Sequence, residues 1–210
     1  ELFYREAREQ QLHRNLIQAG KFELVYYSRT QQGEGDTLHV YLGGDGVPWH
    51  HLFVISDDPG PYSPLVLQLM KQDAMPSIFL GRPCYQGQAT EASCNNSYWT
   101  SARYSAEVVH SMADALMQIM HQYGYKNLVL IGFSGGGALA VLLARTVAQT
   151  QAVVTVAGIL DTDAWTDYHS YIPLTQSINP ARQARLPVHI RQIHVLAGMD
   201  TNVPPHLVDS

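Results

Sequence analysis

The sequence predicts an α/β protein built on a mostly parallel, doubly wound sheet, and three observations carry that prediction. Short apolar runs alternate with longer stretches whose apolar positions recur every three or four residues. Such alternation yields parallel strands joined by crossover helices, with both faces of the sheet covered. A tight glycine-rich turn, Gly132-Phe133-Ser134-Gly135-Gly136, lies between one such run and one such stretch. Finally, 46% hydrophobic and 15% charged residues in a chain of 210 describe a single globular domain with a sizeable apolar core.

Taken in order, residues 2–17 carry an amphipathic pattern that reads as a helix, closed at Gly20. Residues 22–28 read as a strand, followed by a Gln/Gly-rich turn reaching Asp36. Residues 38–42 form a second strand, which runs into Gly43-Gly44-Asp45-Gly46-Val47-Pro48-Trp49. A short helix over 63–72 and a strand over 77–80 come next. Between 104 and 123, Val108, Val109, Met112, Leu116, Ile119, Met120 and Tyr123 keep helical spacing, and Gly124 ends the helix. Residues 127–131 are the strand before the glycine-rich turn, and 137–145 the Ala/Leu-rich helix after it. A short buried strand over 152–157 and a last one over 192–197 complete the sheet.

The turn at Ser134 has the context of a nucleophile elbow, strand then sharp turn then helix. Such a turn strains the serine backbone, so the residues two before and two after must be small. Gly132 and Gly136 meet that need. The hydroxyl then points off the sheet, and the Gly135 amide stands at a helix N-terminus where it can meet a developing oxyanion. A phosphate cradle is the competing reading of the turn, but its usual lysine is missing.

Composition excludes several partners. A formal net charge of -5 and a pI near 6.0 argue against nucleic acid or an anionic membrane surface. No run approaches the ~20 apolar residues of a membrane span. No Cys/His spacing suggests a metal, and no cofactor is expected.

From Phe22 onward the pattern resembles the α/β-hydrolase fold. Three marks carry the likeness: the 43–49 loop, the elbow, and Ala197-Gly198-Met199-Asp200-Thr201-Asn202-Val203-Pro204-Pro205. With Arg82-Pro83-Cys84 after the fourth strand and Cys94-Asn95-Asn96-Ser97-Tyr98-Trp99 beyond it, the combination resembles a group of uncharacterised exported bacterial hydrolases, several of them lipoproteins. That resemblance implies Ser134 as nucleophile and the Gly135 amide as one oxyanion donor. The loop after the third fold strand, often His-Gly-x-Pro in the family, is Asp45-Gly46-Val47-Pro48 here, which makes the Val47 amide the candidate second donor and Gly46 the next. Asp45 stands where the histidine would. Asp200 takes the place of the triad acid, with Asp161 as the alternative; Asp200 also reads as a helix cap ahead of Pro204 and Pro205. The segment 160–190, with Trp165, Tyr168, Tyr171, Pro173 and Pro180, falls where this fold inserts a small cap or loop.

The family order Ser, Asp, His leaves a gap, because only His206 follows Asp200 and it comes too soon for another strand and loop. The base is therefore expected beyond Ser210, together with a last strand and helix. His50, His51 and His169 are histidines within reach of the site, whereas His39 and His194 read as packed along strands. Arg82 and Arg103 read either as contacts to an anionic group or as partners of nearby carboxylates. Cys84 and Cys94 alone leave both a disulfide and two free thiols open; the likeness to exported proteins favours the bond, a periplasmic or otherwise exported location, and a lipid anchor upstream of residue 1. The function expected is hydrolysis of a small-molecule carboxylic ester through an acyl-enzyme on Ser134. Its competitors are acyl transfer or amide hydrolysis with the same residues, and a non-catalytic binding protein that kept the scaffold.

Overall fold

The computed structural model describes residues 2–29, 34–50, 54–60 and 63–208. The chain opens with α1 (Leu2–Glu9), which buries Phe3 and Ala7. The helix expected over 2–17 ends there: Gln11 takes a positive φ of 55°, and β1 (His13–Ala19) follows. This strand pairs antiparallel with β2 (Phe22–Ser28), His13 opposite Ser28 and Ala19 opposite Phe22. The reason for the difference is tertiary. Leu16 and Ile17 suit either period, but a tight turn through Gly20, at φ 57°, hands residues 13–19 a ready partner strand.

Of the remaining elements, a two-residue ribbon at the end of the 43–49 loop and a helix within 160–190 are not expected from the sequence, and the others fall within a few residues of their expected ranges. The elements are β3 (Thr37–Leu42), the ribbon of β4 (Trp49–His50) and β5 (Val54–Ile55), α2 (Leu65–Lys71) and β6 (Ser77–Leu80). Next come α3 (Ala106–Tyr123), β7 (Asn127–Phe133), α4 (Gly135–Thr146), β8 (Thr150–Val156), α5 (Thr162–His169) and β9 (Arg191–Val195). Helix α3 starts where Ser105 Oγ accepts the Val108 N–H and ends at Gly124 with φ 78°.

Seven strands form one sheet in the order β1-β2-β6-β3-β7-β8-β9. β1, β2 and β6 are joined antiparallel, and β6, β3, β7, β8 and β9 are mutually parallel. Alternation along the strands divides the core into two layers. Leu24, Val40, Leu42, Ile78 and Leu80 pack with α3 and α4, while Val25, Tyr27, Tyr41 and Phe79 pack with α1 and α2. Central strands are thus buried on both sides, and all four residues of β6 are buried. Among the described residues β9 pairs with β8 alone, and Ile193 and Val195 on it are exposed.

Candidate active site

The parallel strands release their C-terminal ends on one edge, and the elbow stands there between β7 and α4. Ser134 adopts φ 52° and ψ -121°, a conformation L-residues avoid. Three backbone hydrogen bonds hold it. Its N–H donates to the Val156 carbonyl at 3.0 Å, and its own carbonyl accepts from Gly137 at 2.9 Å and Ile159 at 3.0 Å. The glycines are required by close approach: a Cβ on Gly132 would lie 2.2 Å from the Gly136 carbonyl oxygen, and one on Gly136 2.3 Å from that of Leu42. One turn into the helix, a Cβ on Gly137 would stand 2.7 Å from the Cα of Gly158. The Ser134 side chain remains partly exposed.

The 43–49 loop crosses directly over the elbow. Gly44 packs against the serine, where a Cβ would meet Ser134 Cβ at 3.4 Å. The Val47 amide, expected to be the second oxyanion donor, instead donates to the Pro59 carbonyl at 2.8 Å. This corrects the sequence reading, since an engaged amide has no proton to offer a substrate oxygen. Among the described residues, the amides of Gly44 and Gly135 make no hydrogen bond. Residue type does not encode which way a peptide unit faces, so the error lay beyond the reach of motif matching.

Beneath the loop lies a buried charge cluster. Arg82 Nη1 donates to Asp45 Oδ1 at 2.7 Å and Arg103 Nη1 to Oδ2 at 2.8 Å. The Tyr104 hydroxyl lies 2.8 and 2.6 Å from the same two oxygens. Arg82 Nη2 also donates to the Gly43 carbonyl at 2.9 Å, and the Tyr85 hydroxyl to that of Asp45 at 3.1 Å. Burial pushes the Asp45 carboxyl up, but Arg103 and Arg82 outweigh it and hold the group down at about 2. Burial likewise raises Tyr85 to about 12 and Tyr104 well above its ordinary value, so both remain hydroxyl donors. The two arginines therefore serve a local carboxylate, as one of their two sequence readings had it. Tyr85, Tyr104 and Gly44 escaped the sequence reading; the only signal was the position of Tyr85 next to Cys84.

Cys84 and Cys94 form a disulfide with Cα atoms 5.6 Å apart, fastening the segment that carries Arg82 and Tyr85. On the other flank, Asp200 follows β9. In register, Phe133 pairs with Val156 and Val156 with Val195, so the Ser134 and Asp200 turns leave the same sheet edge two strands apart, roughly 10 Å. Asp200 Oδ1 accepts the amides of Asn202 at 2.8 Å and Val203 at 2.9 Å and so braces its own turn; the helix cap of its alternative reading does not form, because the short helix Pro205–Leu207 starts after Pro204 with no side-chain cap. Its second oxygen has no hydrogen bond among the described residues. Asp161 caps α5, its Oδ1 accepting from Asp163, Ala164 and the Asn179 side chain.

The histidines are placed as follows. His39 Nδ1 lies 2.6 Å from Asp73, and His194 Nδ1 2.8 Å from the Thr155 hydroxyl, with burial lowering the His194 pKa. His50 is exposed on β4, and His51 falls outside the described residues. His169 meets the Asn202 carbonyl at 2.8 Å and stacks on Tyr171. Among the described residues no histidine hydrogen-bonds Ser134 or Asp200. Nor, among them, does any group of three His, Cys, Asp or Glu side chains suit a metal ion, and no helix is long and apolar enough to cross a membrane. Within 160–190, α5 is followed by an irregular run in which Trp165 Nε1 donates to the Asn202 carbonyl and so ties this segment to the Asp200 turn.

Solved structures share this arrangement of strands. An esterase from Pyrococcus furiosus superposes with a TM-score of 0.64 at 12% identity, covering 96% of this chain and 77% of its own. The chain has the α/β-hydrolase fold. An alpha-beta serine hydrolase homologue from Coxiella burnetii matches with a TM-score of 0.55 at 17% identity, over 94% of this chain and 79% of that one. The acylaminoacyl peptidase of Pyrococcus horikoshii matches with a TM-score of 0.57 at 13% identity; 94% of this chain covers only 35% of the peptidase. No protein-family model and no curated protein matches the sequence.

Proposed function

We propose that this protein is a serine hydrolase that cleaves carboxylic esters through an acyl-enzyme on Ser134. The observation that carries the reading is the backbone of Ser134 itself, held at φ 52° and ψ -121° with the unengaged Gly135 amide beside it. A strained, hydrogen-bonded serine at the edge of a parallel sheet has no structural purpose that a glycine would not serve better.

In this reading Ser134 Oγ attacks the ester carbonyl carbon while its proton passes to an imidazole. The amides of Gly135 and Gly44 receive the oxyanion. As the carbon–oxygen bond breaks, the imidazolium returns that proton to the departing alcohol. Water then attacks the acyl-enzyme by the same route and releases the carboxylic acid and free Ser134. In this reading Asp200 orients the imidazole. The scaffold shared with an esterase and with peptidases supports hydrolysis; the choice of an ester over an amide is part of the proposal. So is an exported, periplasmic location, which the disulfide supports because such bonds persist in oxidising compartments.

The test is covalent labelling of the full-length protein by a fluorophosphonate, with p-nitrophenyl ester turnover measured in parallel. Labelling at Ser134, and loss of both label and turnover in Ser134→Ala, is the expected result. A wild-type protein that neither labels nor turns over short-chain esters is a binding protein on a hydrolase scaffold.

A further inference from the structure

The 43–49 loop is fixed by more contacts than packing requires, and their pattern is directional. Arg82 Nη2 draws the Gly43 carbonyl to one side, and in a planar trans peptide the N–H of the next residue faces the opposite way. That N–H belongs to Gly44, the loop residue packed against Ser134. Two residues on, Tyr85 fixes the Asp45 carbonyl in the same manner. Arg82 reaches both the Gly43 carbonyl and the Asp45 carboxylate with one guanidinium, a two-pronged grip that a lysine cannot reproduce. Tyr104 and Arg103 take up the rest of that carboxylate. The cluster lies against the elbow as well, since a Cβ on Gly135 would fall 1.9 Å from Asp45 Oδ1.

We infer that Arg82, Tyr85, Arg103 and Tyr104, gathered on Asp45, are positioning residues that aim the Gly44 amide at the oxyanion, an inference that rests on the hydrolase reading of Ser134. The cluster also carries two guanidinium groups against one carboxylate. Its surplus positive charge stands buried behind Gly135, where the transition state gains negative charge. Arg82 lies over the Tyr85 ring at 5.0 Å and near that of Tyr104 at 5.8 Å, so the same two tyrosines hold its orientation.

The experiment uses Tyr85→Phe and Arg82→Lys in the full-length protein, each normalised to the fraction of Ser134 that a fluorophosphonate titrates. Tyr85→Phe keeps the ring and loses only the hydroxyl, so it remains informative if Arg82→Lys fails to fold. The expected result is a fall in kcat of about 10-fold for Tyr85→Phe and about 100-fold for Arg82→Lys, with KM within about twofold, since one lost oxyanion donor costs roughly 100-fold or more. Affinity for a trifluoromethyl ketone, which forms a tetrahedral oxyanion on the serine, should fall in step with kcat. Full kcat in wild-type-like, labelled Tyr85→Phe overturns the inference while leaving the hydrolase intact. So does a loss confined to melting temperature. A wild-type protein that never labels overturns both.

Discussion

The two flanks of the Ser134 turn are built in opposite ways. On the β3 side, Asp45 is buried and receives three side chains, and the Gly43 and Asp45 carbonyls of its loop accept from Arg82 and Tyr85. On the β9 side, Asp200 is held by two amides of its own turn, and its second oxygen accepts no hydrogen bond among the described residues. The first flank is held by contacts distant in sequence; the second is held by contacts within its own turn. Groups that stabilise charge must be rigid before the substrate arrives, whereas an acid that orients a histidine can be positioned with it.

Several experiments would break or sharpen this contrast. The largest expected effect is catalytic and lies on the β9 flank. Asp200→Asn should lower kcat roughly 10⁴-fold, as loss of a triad acid does, while asparagine still accepts the two turn amides and leaves the melting temperature nearly unchanged. Full activity in that variant would remove Asp200 from the site. On the β3 flank, Asp45→Asn should cost about 3–5 kcal/mol in urea unfolding, because it strands two buried guanidinium groups.

The same carboxylate gives the pH dependence its sign. Its folded value is depressed, so its contribution to stability is present above the ordinary carboxylate range near 4 and is lost as pH falls toward 2. Asp73 is also depressed: burial raises it, but the Met75 amide and His39 prevail, so it acts in the same direction. A urea midpoint that stays flat from pH 4 to 2 would contradict an ionised cluster. Reducing the Cys84–Cys94 bond should lower stability by about 2–3 kcal/mol and, through Arg82 and Tyr85, slow turnover before the protein unfolds. Asp161→Ala should have the smallest effect, about 1 kcal/mol from a lost helix cap, with kcat unchanged.

What the sequence made legible follows the same division. The elbow and the Asp200 turn are local, each written within a few consecutive residues, so the sequence alone points to both places. The Asp45 cluster joins residues 37, 58 and 59 positions apart in the chain. Asp45, Arg82 and Arg103 could be singled out, yet nothing in their spacing says that they meet. The few apolar residues of β1 fit both a helix and a strand period, and only the hairpin with β2 decides between them. The Val47 assignment failed on peptide orientation, which depends on Pro59 and not on Val47.

The contact between Gly137 and Gly158 has a consequence for how this site can decay. There the first turn of α4 and the strap leaving β8 touch main chain to main chain, with no room for even a methyl group between them. An alanine at position 137 would act as a wedge, levering the elbow away from the strap while the sheet behind it stayed whole. One added carbon, far too little to unfold the domain, is enough to leave a well-folded protein whose serine has lost its aim.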